Sequence, residues 1–274
     1  MSFEIFLGID QAEAAAEKGH SRPLPTAAIY KSGSHWILES DLSISGLNKR
    51  NIESLIKDLN PQHKLSSTII LLDSVLGLPK GVFPKNKNIF ELMQRAHRFS
   101  DDGRKLGPKT AHAFFAQFLE KTSDPHPRRE CERIASASSI FQTPSAPKNI
   151  STGTFRSWTE LGSSKEKWFS LWPMDDLHHQ RLHLHGPWIF EAHPDLLWKK
   201  IIKSNSRDTE SLKNFLAAQK FVKLHPSVLR SPHNLNFCDA IILAYSGLLF
   251  HKRKRLFRTP KVPSLKKEGW ILGL

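Results

Sequence analysis

The chain has 274 residues, with 40 Lys plus Arg against 26 Asp plus Glu, a formal charge of +14 and a pI near 9.8. That balance favours a polyanionic partner, and with no basic amphipathic anchor in view nucleic acid is expected ahead of a membrane surface. Mean hydropathy is -0.39 and no apolar run approaches the roughly 20 residues of a bilayer-spanning helix. The N-terminus, with Glu4 and no early basic cluster, does not read as a signal peptide.

In chain order, Phe3-Glu4-Ile5-Phe6-Leu7-Gly8-Ile9-Asp10 predicts a strand that ends in an acid. A polar stretch to Pro25 predicts an enlarged loop. Residues 26–30 and 35–39, separated by Lys31-Ser32-Gly33-Ser34, predict a hairpin. Ile52, Leu55, Ile56 and Leu59 fall at helical spacing within residues 48–59. Thr68-Ile69-Ile70-Leu71-Leu72 is a near-continuous apolar run, the pattern of a strand covered on both faces, and it ends in Asp73.

Residues 80–186 read as an insertion, largely helical and irregular, with helices over 89–99 and 110–119. Within it, Arg128-Arg129-Glu130-Cys131-Glu132-Arg133 reads as a solvated mixed-charge helix surface. The histidine-dense stretch 175–185 reads as structural, because its two ligand-like spacings need different secondary structures. Pro187-Trp188-Ile189-Phe190-Glu191 is a third apolar run ending in an acid. Asp239 opens a long apolar helix over 240–250, with Asn236 expected as its N-cap. Lys252-Arg253-Lys254-Arg255 follows as the densest basic patch and the candidate nucleic-acid contact, about 20 Å of helix away from Asp239. Cys131 and Cys238 have no C-x-x-C partner and read as structural thiols of a protein in a reducing cytoplasm.

Four acids at or beside apolar runs, Asp10, Asp73, Glu191 and Asp239, need compensation, and gathered together they would repel unless a cation lay between them. Strand-end acids can converge at one edge of an α/β sheet. Mg²⁺ or Mn²⁺, hard ions that prefer carboxylate and water oxygens, suit such donors. Two ions would activate a water on one side of a phosphodiester and stabilise the leaving oxygen on the other. In that scheme Asp10 bridges both ions, Asp73 and Glu191 each complete one shell, and Asp239 ligates or orients the second ion.

Gly8-Ile9-Asp10, residues 72–79, Leu171-Trp172-Pro173, Phe190-Glu191-Ala192-His193-Pro194, residues 239–244 and residues 268–273 resemble, in order, the motifs of a predicted nuclease family with an RNase H-like fold, domain of unknown function 429. The resemblance spans nearly the whole chain. It implies an α/β fold with an RNase H-like mixed sheet flanked by helices, and metal-dependent hydrolysis of nucleic acid at Asp10, Asp73, Glu191 and Asp239. The chain departs from the family in its long polar segment after Asp10 and in Met174 after the Trp-Pro pair. Two rivals remain. A non-catalytic nucleic-acid-binding or scaffold protein would keep the fold without the reaction, and an actin-like phosphotransferase would need a Gly-rich hairpin where Gln11-Ala12-Glu13 stands.

Overall fold

A computed structural model describes residues 3–11, 22–101, 106–146, 150–175, 186–204, 207–230, 234–258, 261–262 and 265–274. Residues 12–21 of the enlarged loop expected over 11–25, and the histidines of 176–185, lie outside them. The strands β1 (Ile5–Ile9), β2 (Leu24–Ser32) and β3 (His35–Ile44) come first, then α1 (Lys49–Leu59) and β4 (Thr68–Leu72). Four helices follow, α2 (Ile89–Asp101), α3 (Pro108–Ala116), α4 (Glu130–Ala135) and α5 (Ile150–Leu161), before β5 (Ser170–Trp172) and β6 (Trp188–Ala192). Next come α6 (Pro194–Leu197), which runs on into a π-helical turn at Trp198–Ile202, α7 (Thr209–Ala217), β7 (Val222–Leu224) and α8 (Pro226–Arg230). The long α9 (Leu235–Lys252), α10 (Leu265–Glu268) and β8 (Ile271–Leu272) complete the order.

The strands form one eight-stranded mixed sheet in the order β5-β6-β4-β1-β2-β3-β7, with β8 also paired to β6. The β1–β2 and β2–β3 pairs are antiparallel, whereas β4 on β1, β6 on β4, and β5 and β8 on β6 are all parallel. The protein is therefore α/β, as expected. Strands β1 and β4 are apolar at nearly every position because both of their faces are covered. Ile5, Leu7, Ile9, Ile70 and Leu72 join a core with Met93, Phe114, Phe155 and Trp158, while Phe6, Ile69 and Leu71 join a second core with residues of α9. The segment expected as an insertion thus supplies much of one covering layer through α2, α3 and α5.

Helix α9 covers the other face, and its near-total burial explains why it is apolar all round. Its fit depends on Gly8, where a Cβ would stand 2.0 Å from the Ala240 carbonyl oxygen and 2.5 Å from the Ala244 nitrogen. Its start differs from the expected one. Asn234, not Asn236, is the N-cap, its Oδ1 accepting the Asn236 N–H at 2.9 Å, so Asp239 lies in the second turn. Cys131 and Cys238 are free and buried. Burial pushes the Cys131 thiol up to about 12, which suits the structural role expected for it. Among the described residues no helix is long and apolar enough to cross a membrane.

Candidate metal centre

The parallel pairing of β1 with β4 sets Ile9 opposite Leu72, and the Asp73 N–H donates to the Ile9 carbonyl at 3.1 Å. Asp10 and Asp73 therefore leave two neighbouring strand ends side by side. Asp10 is fully buried and Asp73 partly exposed, and the two carboxyl groups are hydrogen-bonded to each other. Burial, then the charge of Asp10 and the hydrogen bond with it, hold the Asp73 carboxyl well above the usual carboxylate range, while Arg207 pulls the other way. Two carboxylates in this position cannot both ionise freely, so the pair retains a proton or takes a cation.

Polar groups beside the pair fit a hard cation. Both ends of the Gln11 amide, the Ser74 hydroxyl and the Thr152 hydroxyl are buried and have no hydrogen-bond partner among the described residues. Gln11 packs against the first turn of α5, where a Cβ on Gly153 would lie 3.3 Å from the Gln11 carbonyl oxygen. Carboxylate, amide and hydroxyl oxygens are the donors that Mg²⁺ and Mn²⁺ prefer.

Glu191 is engaged elsewhere. Its Oε2 accepts from Arg129 Nη1 at 2.7 Å and from the Leu76 N–H at 2.8 Å, and its Oε1 pairs with Arg129 Nη2. Arg129 is completely buried, donating also from Nε to Glu132 Oε1 at 2.7 Å and from Nη1 to the Glu268 carbonyl at 3.0 Å. Burial opposes its charge, but Glu132 and Glu191 outweigh burial and keep the guanidinium protonated. The expectation of a solvated surface at residues 128–133 therefore fails at Arg129. Glu132 is a local partner, but the Glu191 carboxylate and the Glu268 carbonyl are brought from distant elements, and a buried charge so paired is tolerated where a lone one is not.

Asp239 is likewise paired. Its Oδ2 meets Arg207 Nη2 and its Oδ1 accepts from Trp198 Nε1 at 3.1 Å, while Arg207 Nη1 donates to Asp195 at 2.6 Å. His193, two residues after Glu191, is partly buried, and its desolvation lowers its pKa below the ordinary value and favours the neutral imidazole. Among the described residues no three His, Cys, Asp or Glu side chains form a group that could hold a metal ion. The expected four-carboxylate centre is thus not assembled: two acids meet, and an arginine neutralises each of the others. Arg129, Arg207 and Trp198 were missed in the sequence. Arg207 stands in the polar run Ser204-Asn205-Ser206-Arg207-Asp208, which carries no signal that would single it out.

Lys252, Arg253, Lys254 and Arg255 are all exposed at the far end of α9, with Lys252 Nζ 4.4 Å from the centre of the Phe221 ring. An open cleft of about 660 Å³ outside the Arg129 network has walls of mixed charge, with Lys80, Arg128, Arg133 and Lys261 beside Asp124, Glu130 and Glu268. Compared with known proteins, the chain gives no significant match to any protein family, curated protein or solved structure.

Proposed function

We propose that this protein is a metal-dependent nuclease, built on an RNase H-like sheet, that hydrolyses phosphodiester bonds at the Asp10–Asp73 pair. The observation that carries the reading is the contact between these two carboxyl groups at the ends of adjacent parallel strands. The strand order supports it: an antiparallel β3-β2-β1 meander continued by parallel β4 and β6 is the arrangement an RNase H-like sheet requires. A Mg²⁺ or Mn²⁺ ion held by Asp10 and Asp73 would polarise a phosphoryl oxygen and lower the pKa of a bound water towards neutrality. Arg207, near Asp73 and partly exposed, supplies fixed positive charge on the side a phosphate would approach. The Lys252–Arg255 cluster is too far along α9 to touch the scissile group and instead holds flanking nucleic acid.

The test is cleavage of a panel of single- and double-stranded DNA and RNA with Mg²⁺ or Mn²⁺. Wild type is expected to cleave at least one substrate, with Asp10→Asn and Asp73→Asn each abolishing turnover while remaining folded. Equal turnover by all three proteins would sink the reading. The arginine neutralisation of Glu191 and Asp239 favours a second reading, a nucleic-acid-binding scaffold without the reaction. Metal-independent binding with no cleavage on any substrate would select it.

A further inference from the structure

We infer that the site takes one divalent ion rather than two, because the Arg129 guanidinium already engages both of the Glu191 oxygens that a second ion would need. This rests on the metal reading given above. A second ion would need oxygens from Glu191, yet both of those oxygens accept from Arg129, and Oε2 also accepts the Leu76 N–H. The guanidinium sits in a cage of oxygens that would otherwise suit a cation: the Glu191 and Glu132 carboxylates and the Glu268 carbonyl. Arg129 has no exposed surface, so no water can take its place by a small movement, and displacing it would strand a charge in the interior. At Asp239, Arg207 plays the corresponding part from a more open position, pairing there and with Asp195.

A fixed guanidinium differs from an ion in what it can do. It neutralises and orients, but it neither exchanges ligands nor lowers the pKa of a water. Activation of water is therefore confined to the Asp10–Asp73 pair, and Arg129 is a positioning residue that fixes Glu191 and, through the Leu76 N–H, the loop after β4. The arrangement also has a built-in reversal. Without the arginine head group, four oxygens from three residues would be left facing one space, and a divalent ion could fill it.

The experiment is a Mn²⁺ titration of the full chain, read by electron paramagnetic resonance and by calorimetry, on wild type, Asp10→Asn, Glu191→Gln and Arg129→Met. Wild type is expected to bind one ion, Asp10→Asn to weaken that ion by at least about tenfold, and Glu191→Gln to leave the count at one. Folded Arg129→Met is expected to bind a second ion. Two ions on wild type, falling to one in Glu191→Gln, would overturn the inference and leave the metal reading standing. A folded Arg129→Met that still binds only one would overturn it too. No ion on wild type would instead remove the metal reading itself, and this inference with it.

Discussion

The Asp73 carboxyl is held above its ordinary pKa at the candidate site, and the sign of that shift gives a prediction. Its folded-state pKa is raised above 3.8 by burial and by Asp10, so across that window the folded chain holds more proton than the unfolded one. The linked stability is fully present below the unfolded value and is lost as pH rises through the folded value. With divalent ions chelated, Asp73→Asn should therefore raise the melting temperature at neutral pH, by a margin that shrinks as pH falls towards 4. Thermal denaturation from pH 4 to 8 checks this, and a margin that does not change with pH would contradict it. The two residues of this pair were legible in the sequence because each ends an apolar run in its own strand. Arg129 was not, since its meaning depends on Glu191 and Glu268, which lie 62 and 139 residues away, and a mixed-charge run by itself reads as solvated surface.

At the scale of elements, the contact between α9 and β1 positions the site. Strand β1 ends in Asp10 and α9 carries Asp239 in its second turn, so the distance between helix and strand fixes how these acids relate. Gly8 sets that distance. Gly8→Ala would push a methyl to 2.0 Å from the Ala240 carbonyl oxygen, a contact with backbone that no side-chain rotation relieves. Destabilisation at or above the upper end of the about 1–3 kcal/mol found for overpacked cores is expected. Chemical denaturation measures it, and a loss below about 0.5 kcal/mol would mean that the helix is not seated as described. The sequence announced β1, β4 and α9 through apolar runs, and α1 through its spacing. It did not announce β5, β7 or β8, which have two or three residues each and too little pattern to read. The start of α9 shifted by two residues because Asn234 and Asn236 are equally good caps on composition, and only the folded geometry shows which side chain reaches the helix.

At the scale of the whole molecule, the formal charge is +14, and the exposed cluster Lys252–Arg255 at the end of α9 lies far along that helix from Asp239. If this charge serves nucleic acid, affinity should fall steeply with salt, because each neutralised phosphate releases condensed counterion. Neutralising Lys252, Arg253, Lys254 and Arg255 together should lower the log–log slope by about 0.7–0.9 for each phosphate that the cluster no longer neutralises. Fluorescence anisotropy from 50 to 200 mM salt measures this, and an unchanged slope would remove the cluster from the nucleic-acid contact.

Strand β6 is bordered on its outer side by β5 and by β8, which pairs Glu191 with Ile271, and the Glu268 carbonyl just before β8 is one of the oxygens around Arg129. During synthesis, Glu191 leaves the ribosome 80 residues ahead of Ile271, a lag of about 4–16 s at about 5–20 residues per second. Throughout that interval the nascent chain carries Arg129 and Glu191 but lacks the strand that closes the sheet beside them. The carboxylate pair at β1 and β4 also waits for α9, whose last residue follows Asp73 by 179 positions. Until these C-terminal elements have emerged, the carboxylate pair lacks the helix that packs across its strands and Arg129 lacks the Glu268 carbonyl.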